Sequence, residues 1–106
     1  AADNDPSYST SPGNNTTDKV FLLSISEVNK YFSSDSARQC QGTLYCYSQG
    51  VKKSGNGNCR WWLRSSGVGQ NHAANVNSSG GVYNDVYNDG NGVRPAMWID
   101  LGALLF

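Results

Sequence analysis

Residues 61–99 hold a long polar run between two apolar ends, and no other feature of the chain narrows its fold as much. The segment opens with Trp61-Trp62-Leu63-Arg64-Ser65-Ser66-Gly67 and closes with Gly92-Val93-Arg94-Pro95-Ala96-Met97-Trp98-Ile99. Between them Asn, Ser, Gly, Asp, Tyr and His dominate, with a few Ala and Val. Apolar ends that fix a polar stretch are how a rigid scaffold presents loops for binding. The middle also has the composition of a paratope. Tyr supplies contact area at low entropy cost, and Ser, Gly and Asn supply adaptable hydrogen bonds.

At 106 residues the chain is one domain. Its net charge is zero and 15% of its residues are charged, so it lacks the basic footprint of a nucleic-acid binder. The one adjacent basic pair, Lys52-Lys53, does not make a polybasic membrane patch. No apolar run approaches the roughly 20 residues of a membrane span, which argues against direct insertion. Scarce Lys and Glu with abundant Asn, Gly, Ser and Tyr point to an extracellular or cell-surface setting. The chain opens Ala1-Ala2-Asp3 without Met, which points to processing or excision from something longer.

The cysteines are Cys40, Cys46 and Cys59, an odd number. Two readings stand. Either they are buried small hydrophobes, or two of them form a disulfide, with Cys40–Cys59 preferred to Cys40–Cys46. A four-ligand zinc site lacks ligands, because there is no Cys-x-x-Cys and His72 is the single histidine.

Residues 1–18 read as an arm or loop, with Pro6, Pro12 and Gly13. Residues 19–23 read as a short buried strand. Ser24-Ile25-Ser26-Glu27 matches a capping box. The helix it starts would carry Val28, Tyr31 and Phe32 on one face and stop near Ser33-Ser34. Residues 35–42 read as a loop. Thr43 is placed to cap a short helix ending at Gly50, and residues 52–58 form a Gly-rich turn. Strands are expected over residues 60–64, 82–87 and 93–101. Alternation sets Trp61 and Leu63 on one face, and Pro95 puts the last strand at an edge or a bulge. Trp61, Leu63, Val93 and Met97 are expected to be buried on adjacent strands.

The candidate ligand-binding residues are Asn71, His72, Asn75, Asn77, Tyr83, Asn84, Asp85, Tyr87, Asn88, Asp89 and Asn91. They are expected on one exposed face, with their Ala and Val neighbours turned inward. Leaving so many amides and carboxylates buried and unpaired would cost about 1–3 kcal/mol each. Solvated turns between strands are the plain alternative. Calcium is a further candidate at Asp85, Asn88, Asp89 and Asn91, which offer hard oxygens without the Asp-x-Asp-x-Asp-Gly pattern. No cofactor is otherwise expected. Trp61, Trp62 and Trp98 are read as core rather than as sugar platforms. Arg64 and Arg94 are read as making internal hydrogen bonds or stacking on the indoles. His72 has no Ser or Cys nucleophile pattern nearby, and Glu27 and Asp35 do not make a carboxylate pair.

Three motifs carry a resemblance: Asp18-Lys19-Val20-Phe21-Leu22-Leu23-Ser24, Trp61-Trp62-Leu63-Arg64-Ser65 and Gly92-Val93-Arg94-Pro95-Ala96. Together, over roughly residues 5–101, they resemble a domain family of undetermined function found in surface and secreted proteins of anaerobic gut bacteria. That family is similar to the formylglycine-generating-enzyme branch of the C-type lectin fold. The sulfatase-activating enzymes of that branch use a close cysteine pair near the C-terminus. No cysteine follows Cys59, so their activity is not carried over. Variable proteins of diversity-generating retroelements use the same fold. Their adenine-directed mutation turns Asn codons into Tyr, Asp, His, Ser and Gly, the residue set of positions 71–91 outside Ala and Val.

The expectation is therefore an α+β, C-type lectin-like domain over residues 19–106, with a small, mostly antiparallel sheet, one or two short helices and long polar loops. Its expected role is non-enzymatic binding of a protein or glycan through residues 70–91. A structural or adhesion module is the alternative, and a formylglycine-generating-type enzyme comes third. The resemblance implies the C-terminal part of a longer domain. A missing N-terminal segment or a homodimer would then cover Val20, Phe21 and residues 104–106.

Overall fold

The computed structural model describes residues 14–87 and 89–104. Residues 1–13 of the expected arm, Asn88, and the closing residues expected to be covered lie wholly or in their side chains outside that range. Residues 14–18 are exposed and carry no regular structure. The elements are α1 (Ile25–Tyr31), α2 (Asp35–Arg38), α3 (Leu44–Ser48), β1 (Trp61–Ser66), β2 (His72–Val76), β3 (Val82–Val86) and a 3-10 turn (Leu101–Leu104). The three strands form an antiparallel sheet in the order β1-β2-β3, so the chain is α+β. No helix among the described residues is long and apolar enough to cross a membrane.

The capping box forms as the sequence indicates. The Ser24 hydroxyl accepts from the Glu27 N–H at 3.1 Å, and the Glu27 carboxylate accepts from the Ser24 N–H at 2.9 Å. Thr43 caps α3 in the same manner by accepting from the Cys46 N–H. Residues 35–38, expected in a loop, form the single turn α2 because the Ser34 hydroxyl accepts from the Ala37 N–H.

Helix α1 is tied to β1 by polar contacts as well as by packing. The Ile25 N–H donates to the Ser65 hydroxyl at 2.9 Å, and Arg64 pairs with Glu27 while also donating to the Leu22 carbonyl. Burial pushes the Glu27 carboxyl up, but the hydrogen bonds from Arg64 and Ser24 and the Arg64 charge together outweigh it. Its pKa therefore lies below the usual glutamate range. A depressed folded-state pKa adds stability that is present above the unfolded value and is lost as pH falls through the folded one. The stability difference between the wild type and Glu27→Gln should accordingly shrink as pH drops from 7 to about 3. Urea midpoints across that range check it. A constant difference would mean that the charge of Glu27 contributes nothing.

The core joins α1 to one face of the sheet. Ile25, Val28, Trp61, Leu63, Ala74 and Val76 are buried together, with Leu23, Phe32, Cys40 and Val82 packed against them. Register explains the set. Trp61 lies opposite Val76, which lies opposite Val82, so one cross-strand row is apolar throughout. The Trp61 indole N–H donates to the Arg38 carbonyl at 3.1 Å. Arg94 lies over the Trp61 ring at 4.8 Å and the Phe32 ring at 5.3 Å, the stacking role expected of it.

Both terminal strand expectations need correction. Residues 19–23 and 93–101 meet only at one bridge, where Phe21 and Ala96 exchange backbone hydrogen bonds of 2.9 and 2.8 Å. Gly92 pairs once more with β1, and Pro95, without an N–H, cannot extend the ladder. Along that segment Arg94 and Ala96 are partly buried, whereas Val93 and Met97 are exposed. Their expected burial fails because Arg94 takes the inward place over Trp61. Trp98 is also not core: it is 72% exposed and meets Tyr31 edge-on at 5.9 Å. Tyr31, expected on the buried face of α1, is exposed there too.

Candidate functional site

The polar run folds into the hairpin of β2 and β3, which the sequence reading had split between a loop and one strand. Asn77 closes its turn. The Asn77 side-chain oxygen accepts from the Ser79 N–H at 3.0 Å, the Ser79 hydroxyl at 2.8 Å and the Gly81 N–H at 3.0 Å. At the other end the Tyr87 N–H donates to the Asn71 carbonyl at 2.8 Å, which carries the pairing one step beyond the strands.

Strand alternation divides the candidate residues between two faces. Asn84 lies opposite Ala74, in line with the core side, and its side-chain oxygen accepts from the Val68 N–H. Asn75 lies opposite both Trp62 and Tyr83, and Asp85 lies opposite Ala73, on the second face. The expectation of one exposed face is therefore wrong, and Asn75 and Asn91 are buried. The penalty argument fails for the side-chain N–H groups at these positions because Asp85 accepts from both.

Asp85 is the hub of that second face. Both its carboxylate oxygens accept from Arg60 Nη1 at 3.1 Å. The Asn75 amide also donates to it, and so does the Asn91 amide at 3.1 Å. The calcium reading meets a difficulty here, since Asp85 is ringed by N–H donors rather than by the oxygens a cation needs. Among the described residues no group of three or more His, Cys, Asp or Glu side chains is arranged to hold a metal. The Asn75 side-chain oxygen is buried without a hydrogen-bond partner. Its amide orientation is set by donation to Asp85.

Beside the hub lies an open cleft of about 380 Å³ lined by Lys52, Lys53, Ser54, Arg60, Asp89, Gly90 and Asn91. Lys52 bonds Asp89 at 2.8 Å, and its N–H donates to the Gly90 carbonyl at 2.9 Å. The Lys52 ammonium and then the Gly90 N–H hold Asp89 below the usual carboxylate range. Sequence reading missed Lys52, Lys53 and Arg60 as site residues. The adjacent lysines were the available signal, and Arg60 had none, because its role depends on facing Asp85.

Tyr83 and Tyr87 are 56% and 75% exposed, and Asn71, whose carbonyl accepts from the Tyr87 N–H, is exposed as well. The His72 ring nitrogen pairs with the Asn71 side-chain oxygen at 2.9 Å. Exposed aromatics on a hydrogen-bonded base can contact a partner at low ordering cost, since Tyr has only two side-chain torsions to fix. Cys40 and Cys59 face each other across a β-bridge, and with Cys46 they are free thiols lining one pocket. Burial pushes the Cys59 thiol up, and the neighbouring Cys40 and Cys46 add to that effect. It is the opposite of the depressed thiol a nucleophile uses.

The fold and this face define a small α+β domain that displays tyrosines above an internally paired polar network. The chain belongs to the family described as a domain of unknown function, DUF6273, which it matches over residues 2–101. Neither a search of curated proteins nor one of solved structures finds a match.

Proposed function

We propose that the chain is a non-enzymatic ligand-binding domain, extracellular or at the cell surface, with residues 70–91 as its contact surface. One observation carries the reading: Tyr83 and Tyr87 are exposed on a hairpin whose base is fixed by Asp85. Aromatic anchors on a rigid base are the residues that dominate binding hot spots. The cleft beside the Asp85 hub, lined by Lys52, Lys53 and Arg60, would receive an acidic group of a protein or glycan ligand. A C-type lectin-like fold and diversification by a retroelement belong to the same proposal. Asn75, Asn77 and Asn91 are tied into the structure, and His72 lies on the core side of β2, so any diversified positions would be the outward ones: Asn71, Tyr83 and Tyr87.

A second reading, a structural or adhesion module, draws on a specific observation. Asn77, Asn84, Asp85 and Asn91 direct their side chains into internal hydrogen bonds. The two readings separate in one experiment, with purified glycans and extracellular proteins arrayed as probes. Replacing Tyr83 and Tyr87 together by Ala should weaken capture by at least about 30-fold, the effect of one hot spot of about 2 kcal/mol. The melting temperature should fall by no more than about 8 °C. A larger thermal loss, or a wild type that captures no probe, supports the structural reading, and capture that the double variant retains would place the contact surface outside the hairpin.

A further inference from the structure

Trp98 stands between two concavities on the side of the molecule built from α1 and the closing segment. One is an open pocket of about 240 Å³ lined by Thr16, Thr17, Asp18, Glu27, Arg64 and Trp98. The other is a groove of about 140 Å³ whose lining is mainly apolar, with Leu23, Tyr31, Ala96 and Met97 beside Trp98. Phe21 lines both. An indole that is 72% exposed therefore has hydroxyls and charges on one side and a mainly apolar lining, with Glu27 at its edge, on the other.

We propose that this pocket binds a neutral pyranose ring, with Trp98 as its stacking platform. The ring's C–H face carries partial positive charge and meets the negative face of an aromatic system. Its hydroxyls need donors and acceptors around the rim, which Thr17, Asp18, Glu27 and Arg64 supply. The charges choose among ligands. Asp18 and Glu27 against the single Arg64 leave the lining net negative, and Arg64 already pairs with Glu27. Phosphate or a sugar acid would be repelled, whereas a neutral polyol needs only hydrogen bonds. The volume admits about one ring, since about eight waters at about 30 Å³ each would fill it. Tyr31 meets Trp98 edge-on and leaves the indole face open to a ligand. The site is separate from the hairpin of Tyr83 and Tyr87 and does not depend on its role.

Titration with the methyl glycosides of glucose, galactose, mannose and N-acetylglucosamine tests this, followed through the three indole N–H signals by NMR. At least one glycoside should shift a single indole signal with a dissociation constant of about 1–10 mM, as a single shallowly held ring gives. That signal should be missing in Trp98→Ala. Trp98→Phe, which keeps an aromatic face, should still bind, as followed through neighbouring amides. Methyl glucuronide should bind at least about 5-fold more weakly than the neutral ring, given the like charge in the lining. The Tyr83→Ala, Tyr87→Ala variant should give the wild-type response. The proposal is overturned if no glycoside shifts an indole at about 50 mM, far above that range. It is equally overturned if the shifted indole persists in Trp98→Ala, or if the glucuronide binds best. Sedimentation showing a dimer that Trp98→Ala abolishes, without any glycoside response, would assign the face to a second copy of the chain instead.

Discussion

Gly80→Ala is expected to destabilise the domain by about 3 kcal/mol or more, combining a strained backbone with overpacking. Gly80 has φ +94°, where L side chains are rarely found, and a Cβ there would overlap the Asp35 carbonyl. The backbone has little freedom to retreat. The Gly80 carbonyl accepts from Arg38 Nε at 2.8 Å, and the neighbouring Ser79 and Ser78 carbonyls accept from Gln39 and Asn56. Gly50 provides the control, because its φ is +105° but nothing lies within 4 Å of its would-be Cβ. Gly50→Ala should therefore show only the conformational part, about 1–2 kcal/mol. Urea unfolding of both variants measures the difference. Equal losses would mean that the contact between the hairpin turn and α2 is looser than the geometry indicates.

Asp85→Ala should rank next, at about 2–5 kcal/mol. The carboxylate accepts from Asn75 and Asn91, both buried, and each donor left without an acceptor costs about 1–3 kcal/mol. Arg60 adds little, since its side chain is 43% exposed and water can replace its partner. At about 4–8 °C per kcal/mol for a domain of this size, the melting temperature should drop by at least about 8 °C. Asp85→Asn keeps one acceptor oxygen and should lose about half as much. Hydrogen exchange should quicken at β2 and β3 before it does at α1, because the network lies under the hairpin. A loss below about 1 kcal/mol would show that Asn75 and Asn91 find other acceptors.

These two residues also mark how far local sequence reaches. Ser24 with Glu27, and Thr43 ahead of α3, were legible because a cap needs only side chains three residues from the backbone it serves. Trp61 and Leu63 were legible as inward residues of β1 because alternation is a property of one strand. The stacking of Arg94 followed from its closeness to aromatic residues of fixed geometry. The same local logic failed at residues 93–101. Alternation there is real, but its phase is chosen by which residue reaches Trp61, and Arg94 displaced Val93 and Met97.

The polar run shows the limit most clearly. β2 was hidden because His72-Ala73-Ala74-Asn75-Val76 has no apolar pattern of its own. It is a strand because β1 and β3 flank it on both sides. Composition and local pattern by themselves pointed to a low-charge α+β chain with capped short helices, tryptophan-bearing strand edges and a tyrosine-rich polar segment. Pairing across the sheet decided which of those polar groups are satisfied inside and which face solvent. Asn75 and Asn91 are buried because Asp85 accepts from both, from 10 and 6 residues away, while Arg60 reaches the same carboxylate from 25 residues away. A side chain's partner at that sequence distance is set by register, and register exists only once the strands have assembled.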